Sequence, residues 1–245
     1  MKARSGISAN GLKWIAILAM IIDHLAWKMP ETLPGWTAFA AHFVGRLTMA
    51  TMGFFIAEGF RYTRDRKKYA LRLLVSALIA QIPYNYFGTG NPFSLAVAPA
   101  YFNVLFTLLL GLCALWALKS EWKLWMKILL ALLCVFASIL CDWPLFGVLF
   151  ILAFGLNTGS FKRQALWFSL AAAIQIVAYM ALADDLPFFS TLGIFLVLLP
   201  LAFYNGKKSG PRAPAWATSK WTFYIIFPLQ YLVLAFLHYG LGWLK

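Results

Sequence analysis

The amino-acid sequence predicts an all-α, polytopic integral membrane protein with about nine transmembrane helices. Composition is the first reason, because 62% of the 245 residues are hydrophobic and 12% are charged, whereas a soluble domain is about half apolar and a quarter charged. The second reason is that apolar runs recur at the length of about 20 residues that a transmembrane helix needs. The third is that basic residues concentrate in every second loop, as they do in the cytoplasmic loops of membrane proteins.

Taken in order, nine apolar runs account for almost the whole chain, so we expect a single membrane domain over residues 1–245. The first run follows basic residues and resembles a signal peptide. The Ala-Phe-Ala sequence at 38–40 lies too far beyond that run for a cleavage site, so we expect an uncleaved first helix. The runs are 12–29, 37–60, 69–87, 100–118, 122–140, 144–157, 164–183, 188–204 and 221–244.

The loops between the runs predict the orientation of the chain. Eighteen of the 21 Lys and Arg residues, among them Lys2 and Arg4, lie in the N-terminal segment or in the second, fourth, sixth and eighth loops, including the edges of the adjoining runs. The opposite loops carry acidic residues instead. Because basic loops stay on the cytoplasmic side, we expect a cytoplasmic N-terminus, an outer C-terminus and a location in the cell inner (cytoplasmic) membrane. The acidic residues are Glu31, Asp142, Asp184 and Asp185.

The sequence argues against a nucleic-acid partner and against a metal. The net charge of +13 follows from loop topology, and no soluble module with base-reading side chains is present. Cys113, Cys134 and Cys141 lack the spacing of a metal site, and no histidine pair has ligand spacing. We therefore expect membrane lipids around the chain, but neither nucleic acid nor metal.

Ionisable residues within the apolar runs predict a functional site, because a charge in the hydrocarbon core costs several kcal/mol. Asp23 and His24 lie in the first run, His42 and Arg46 in the second, and His238 in the ninth. With a helix rise of about 1.5 Å per residue, all three histidines fall at a similar level in the outer half of the membrane. We therefore expect side chains from separate helices to meet there.

The roles of these residues follow from helix geometry. Asp23 and His24 are adjacent and point about 100° apart, so we expect Asp23 to pair with Arg46 and His24 to face a cavity as a general base. Arg46 lies one turn from His42 on the same face. The alternative is a polar clasp between helices without chemistry, and for His42 and His238 both interpretations stay open.

Small residues follow Arg46 at helical spacing, namely Ala50, Gly53 and Ala57. They predict either close helix packing or a slot that admits a thin, extended ligand from the cytoplasmic side. Glu58 comes next and can reach residues three and four positions later. It either fixes the helix end or orders a basic ligand site.

The strongest charge cluster follows this run, and we call it the basic segment. Guanidinium groups bind phosphates bidentately, so one interpretation is a phosphate site, and the other is topology with anionic lipid contact. No Gly-rich phosphate loop is present, which excludes a P-loop ATPase. The basic segment consists of Arg61, Arg64, Arg66, Lys67, Lys68 and Arg72.

Asn103 is a polar residue in the fourth run, near the expected level of the histidines. Its amide either donates to a developing oxyanion or forms a simple hydrogen bond between helices.

Several blocks within residues 1–118 resemble the TraX family, whereas 119–245 match it only in hydrophobic pattern. The first block runs from Gly11 to Asp23-His24. The later blocks are Gly45-Arg-Leu, Phe54-Phe-Ile-Ala-Glu-Gly-Phe60, Tyr62-Thr-Arg64, Lys68-Tyr-Ala-Leu-Arg72-Leu, Gln81-Ile-Pro83 and Asn103-Val-Leu-Phe-Thr-Leu-Leu-Leu-Gly111.

The resemblance implies an integral membrane acyltransferase. The named member of the family acetylates the N-terminus of conjugative pilin, and the wider group resembles type 3 membrane acyltransferases, which use a first-helix histidine and cytoplasmic acyl-CoA. It therefore implies acetyl-CoA as acyl donor, held by the basic segment and Glu58, and a protein, glycan or lipid acceptor on the outer side. The implied catalytic group is His24 as base with Asp23, Arg46, His42 and Asn103.

Two other functions remain open from the residues alone. A proton-coupled transporter would use Asp23, His24 and Arg46 as a relay, and a membrane assembly protein would use them only for packing.

Overall fold

The computed structural model describes residues 6–29, 32–94, 101–182, 188–209, 214–219 and 221–243. Within these ranges the regular structure is helical, and the extended contacts are isolated bridges between Ile7 and Tyr204 and between Phe102 and Cys141. The predicted all-α class is therefore confirmed. Some charged residues that enter the topology prediction lie outside these ranges. They are Lys2, Arg4, Glu31, Asp184, Asp185, Arg212, Lys220 and Lys245.

The helices are numbered in chain order. They are α1 Ala9–Lys28, α2 Gly35–Gly45, α3 Leu47–Tyr62, α4 Arg66–Thr89, α5 Val104–Leu118, α6 Leu124–Ala137, α7 Phe146–Leu156, α8 Phe161–Leu182, α9 Phe188–Thr191, α10 Leu198–Ala202, α11 Ala215–Thr218 and α12 Thr222–Ala235. Short 3₁₀ turns cover Ser138–Leu140 and Leu192–Val197, and a π-helical turn, Phe236–Gly240, extends α12.

Side-chain caps explain where three of these helices begin. Ser8 accepts a hydrogen bond from the Gly11 N–H at the start of α1, Asp65 accepts one from Lys68 before α4, and Asn103 accepts one from Leu105 before α5. Each cap satisfies a backbone donor that the first turn leaves unpaired. At its other end α4 stops at Gly90, whose φ of 74° suits a residue without a Cβ.

Several helices have the length and composition of membrane spans. Among the described residues, four helical stretches qualify as candidate spans, and further apolar helices are shorter. The membrane-embedded character is thus supported, while the nine-span count and the orientation of the termini stay predictions. The four stretches are Ala9–Lys28, Gly35–Tyr62, Phe161–Ala181 and Thr222–Gly240.

Outward-facing apolar side chains agree with a lipid environment. On α8, Leu170, Ile174 and Val177 recur at helical spacing and are all exposed. A soluble monomer rarely presents such a continuous apolar surface, whereas hydrocarbon chains solvate it without cost.

The described residues form two compact units, one within residues 1–51 and 185–245 and the other within 52–184. In the first unit α1 packs against α2 and α12, and α2 packs against the 188–197 stretch. A Cβ built on Gly193 would lie 1.9 Å from the Phe43 carbonyl oxygen. The two backbones therefore touch at a point that only glycine permits, which is a typical device of membrane helix packing.

In the second unit α5 packs against α4, α6 and α7, and α7 also packs against α8. Small residues bring these helices close, since a Cβ on Gly111 would lie 2.2 Å from the Ile151 side chain and one on Gly155 would lie 2.5 Å from Leu115. Phe168 of α8 is fully buried against the rings of Phe150 and Phe154.

Candidate active site

The centre of the candidate site is a hydrogen bond between α1 and α2. Asp23 Oδ1 lies 2.7 Å from His42 Nδ1, and the two side chains are 14% and 17% exposed. The sequence did not predict this contact between Asp23 and His42, and the pairing of Asp23 with Arg46 stays a prediction. Asp23 lies against the backbone of Gly45, and His42 is one turn earlier on that same face.

Gly45 makes this contact possible. A Cβ built on Gly45 would lie 2.4 Å from Asp23 Cβ, 2.5 Å from its Cγ and 2.8 Å from Oδ1. Carbon atoms in contact are normally about 3.5–4.0 Å apart, so any side chain at position 45 displaces Asp23. Gly45 was noted in the sequence only as part of a family block, and its role in letting the Asp23 carboxylate lie against α2 was not predicted.

His24 faces a different helix from Asp23, as the 100° offset between neighbours requires. Its Nδ1 lies 2.9 Å from Gln230 Nε2, and its Nε2 lies 3.4 Å from the Tyr231 hydroxyl on α12. The His24 ring also stacks on the Tyr231 ring, with centroids 4.7 Å apart. Neither partner was predicted from the sequence, although a Gln-Tyr pair inside an apolar run was the available signal.

Arg46 follows α2 directly and keeps helical backbone angles, with its N–H bonded to the His42 carbonyl at 3.2 Å. It is half-buried and interacts electrostatically with His24, as do Asp23 and His42. The structure thus brings together four of the predicted catalytic residues. The Trp27 ring lies 5.0 Å from the His42 ring and covers one side of it.

His238 does not lie at the level of His24, contrary to our expectation. His24 contacts Gln230 and Tyr231, which precede His238 by seven residues or more, or about 10 Å along a helix. The neighbouring Tyr239 hydroxyl instead bonds Lys28 Nζ at 3.1 Å, one turn beyond His24. The ends of two apolar runs therefore do not lie at the same height, and equal distances from those ends do not place two side chains at one level.

Asn103 belongs to the second unit and joins the start of α5 to the middle of α4 by hydrogen bonds. Its Nδ2 donates to the Ala77 carbonyl at 2.9 Å and to Gln81 Oε1 at 2.8 Å, and its Oδ1 caps α5. Both amide protons are therefore used between α4 and α5, in agreement with the second interpretation given above. Oxyanion stabilisation by Asn103 stays a prediction that would require one of these bonds to open.

The basic segment connects α3 to α4 and enters the first turns of α4. Arg61, Arg64, Lys67 and Lys68 are exposed. One acidic residue, Asp65, lies among them, and the Lys68 backbone N–H donates to its carboxylate and lowers its pKa. Asp65 also forms an exposed ion pair with Lys68, whose Nζ lies 3.4 Å from Asp65 Oδ2. Such an exposed pair contributes little, so an anionic ligand can compete for Lys68.

Three cations of the basic segment lie over aromatic rings. The distances from the guanidinium to the ring centroid are 4.2 Å for Arg66 on Phe60, 5.7 Å for Arg72 on Tyr69 and 5.3 Å for Arg61 on Tyr62. Each ring attracts the guanidinium that lies over it. Glu58 is half-buried on α3, in the last two turns before the segment.

The small-residue stripe on α3 serves helix packing. Ala50 and Ala57 are buried, and a Cβ on Gly53 would lie 3.3 Å from the Ile151 side chain of α7. Ile151 and Phe150 thus cover Gly53, which favours the packing interpretation at this position over an open slot.

Metal-ligating residues are scattered. Among the residues that the structure describes, no three of His, Cys, Asp and Glu come together as a metal site. The three cysteines are free thiols, of which Cys134 and Cys141 are buried.

Comparison with known proteins extends the sequence similarity over the whole chain. The model of a family described as TraX protein matches residues 8–238. The chain is also 33% identical over 246 residues to a protein of Dichelobacter nodosus named "Probable fimbrial assembly protein FimC, serogroup H1", covering 96% of this chain and 97% of that protein. No solved structure matches. The match reaches well beyond residue 118 and includes Gln230 and Tyr231.

Proposed function

The chain belongs to the TraX family, and on that premise we propose that it is a membrane acyltransferase. It transfers an acetyl group from cytoplasmic acetyl-CoA to an amine or hydroxyl on the outer side of the cell inner membrane. The observation that carries the proposal is the Asp23–His42 hydrogen bond beside His24 within apolar helices. Ionisable groups in such helices are costly and mark functional sites, and acyl transfer requires a positioned base.

The residues of this cluster match the needs of the reaction. The acceptor nitrogen or oxygen attacks the thioester carbonyl carbon, and the carbonyl electrons move to the oxygen. A histidine of the cluster takes the acceptor proton, the C–S bond breaks, and the proton passes to the departing thiolate. Arg46 supplies a fixed positive charge for the tetrahedral oxyanion in a medium of low dielectric constant, where that charge is most effective.

The basic segment is the proposed site for the phosphates of the acyl donor. Its exposed Arg61, Arg64, Lys67 and Lys68 provide guanidinium forks and ammonium groups that suit phosphate oxygens. Predicted topology assigns this segment to the cytoplasmic side, where acetyl-CoA is found. The alternative occupants, anionic lipid headgroups, have the same charge.

The favoured acceptor is the N-terminal amine of a pilin-like protein. The D. nodosus relative is named a fimbrial assembly protein, and pilin acetylation is what the family resemblance implies. Glycan and lipid hydroxyls are the other acceptors that the same chemistry serves.

The relative's name also favours a second candidate, a non-enzymatic role in fimbrial assembly. In that case the polar cluster would only hold α1, α2 and α12 together. A proton-coupled transporter is the third possibility raised by the sequence, and it predicts uptake driven by a pH gradient without affinity for CoA.

Purified protein in lipid nanodiscs tests the proposal directly. We expect radiolabel to pass from [¹⁴C]acetyl-CoA to a synthetic pilin N-terminal peptide, and free thiol to appear in equal amount. His24→Ala and His42→Ala should abolish both signals while the variants keep the wild-type melting curve. An assembly protein would show neither signal in the wild type, and unchanged transfer in a folded His24→Ala variant would refute the role of the cluster.

A further inference from the structure

The two histidines of the cluster differ in what their ring nitrogens contact. His24 Nδ1 lies 2.9 Å from the Gln230 side-chain amide, and His24 Nε2 lies 3.4 Å from the Tyr231 hydroxyl. Both ring nitrogens of His24 are therefore hydrogen-bonded to side chains of α12. A substrate reaches neither nitrogen unless one of these bonds opens.

His42 has the opposite arrangement. The ionised Asp23 carboxylate is an acceptor only, so His42 Nδ1, 2.7 Å from Oδ1, carries the proton. Neutral His42 then presents the lone pair of Nε2, and in the part of the chain that the structure describes no side chain bonds this atom. His42 is also 17% exposed, so a substrate has access to the ring.

This proposal rests on the proposed function and deepens it: we propose that His42, oriented by Asp23, is the general base, and that His24 is a positioning residue. A carboxylate bonded to Nδ1 fixes the tautomer of an imidazole base and stabilises the imidazolium that forms on Nε2. His24 acts through α1, because its bonds to Gln230 and Tyr231 hold that helix against α12. Asp23 is adjacent to His24 on α1, so the position of Asp23 depends on the bonds of His24 to Gln230 and Tyr231.

The balanced reaction assigns each proton. The acceptor R–NH₂ forms a C–N bond with the thioester carbonyl carbon, and His42 Nε2 takes one nitrogen proton to become imidazolium. Collapse of the tetrahedral oxyanion breaks the C–S bond, and the thiolate takes the proton from His42 Nε2. The products are R–NH–CO–CH₃ and CoA–SH, with His42 and Asp23 returned to their starting states.

The charged groups around His42 come from α1 and from the end of α2. They are Asp23, His24 and Lys28 on α1, and Arg46 directly after α2. The segment 188–197, which also packs against α2, contributes no titratable side chain in its described residues. Among the residues that the structure describes, Asp23 is therefore the anion that contacts His42.

The test compares two matched substitutions, His42→Asn and His24→Asn. An asparagine at position 42 keeps an N–H donor for Asp23 but has no base, and one at position 24 keeps an acceptor for Gln230. The readout is kcat/KM for acetyl transfer as a function of pH, in nanodiscs. We expect kcat/KM to fall 100-fold or more in His42→Asn, which is on the order of general-base catalysis. The fall of kcat/KM at low pH, the acidic limb of the profile, should also disappear in this variant. His24→Asn should keep the acidic limb and show a smaller decrease in kcat/KM.

Chemical rescue provides a second measurement. Added imidazole should restore transfer to His42→Gly but not to His24→Gly, and His42→Gln replaces His42→Asn if the latter does not fold. An acidic limb that disappears in His24→Asn and persists in His42→Asn would overturn the assignment of the base and leave the acyltransferase proposal standing. Absence of CoA-dependent transfer by the wild type would overturn both.

Discussion

Gly45→Ala tests whether the Asp23–His42 contact matters for activity. The new Cβ would lie 2.4 Å from Asp23 Cβ and 2.8 Å from Oδ1, so Asp23 must withdraw by about 1 Å to reach ordinary contact distance. The 2.7 Å hydrogen bond would then lengthen to about 3.7 Å, which is no longer a hydrogen bond. A misplacement of about 1 Å in a catalytic group costs about 100-fold in rate.

We therefore expect kcat for acetyl transfer to fall about 100-fold in Gly45→Ala, which corresponds to about 2.7 kcal/mol of activation free energy. Overpacking also costs about 1–3 kcal/mol of stability, partly offset by the better helix propensity of alanine.

Gly35→Ala is the matched control, because a Cβ at this other glycine of α2 meets nothing within 4 Å. It should keep wild-type kcat and stability. Single-turnover transfer from [¹⁴C]acetyl-CoA and thermal unfolding in nanodiscs measure the two effects separately. Wild-type kcat in a folded Gly45→Ala variant would refute the reasoning that this carboxylate position is required.

Four further predictions follow from individual contacts. Gly193→Ala should lower the midpoint of thermal unfolding more than Gly45→Ala, since its Cβ meets the Phe43 backbone rather than a side chain that can turn away. Asn103→Ala should destabilise the fold by about 1–3 kcal/mol because it leaves buried partners unpaired, and calorimetry that shows no change would contradict the capping role. Arg64→Gln with Lys68→Gln should raise the KM for acetyl-CoA more than it lowers kcat, whereas Lys162→Gln with Arg163→Gln, at the exposed start of α8, should leave the KM unchanged. The Lys68 N–H lowers the pKa of Asp65 below the ordinary 3.8, so the ionised carboxylate should cap α4 fully above pH 3.8 and lose this role as the pH falls through the lowered pKa. Amide exchange in the first turn of α4 should therefore quicken only under strongly acidic conditions.

The residues of the candidate site were largely predictable from sequence, because charge within an apolar run is conspicuous. Asp23, His24, His42 and Arg46 were identified on that basis, and the structure brings them together in one unit. Gln230 was overlooked, since a single neutral amide in an apolar run is a weaker signal than a charge. The basic segment was equally visible, although its phosphate ligand stays a prediction.

The pairing of these residues was not predictable. Sequence periodicity correctly separated the directions of Asp23 and His24, but it did not predict the contact between Asp23 and His42. His42 and Arg46 are i and i+4 positions on one helix face, so both qualified as partners of Asp23. The close approach of Gly45 to Asp23, which places the carboxylate beside His42, has no periodic signal in the sequence.

Composition and periodicity by themselves determined the all-helical class, the membrane environment and the set of polar residues in the apolar helices, because each depends on one segment and its solvent. Tertiary structure alone decided which side chains meet, because the rotation and depth of one helix against another depend on close packing at single positions. Gly45 lets the Asp23 carboxylate reach His42, and α12 supplies the partners that occupy His24. These contacts join residues 19 and 206 positions apart, a separation that local sequence patterns do not register.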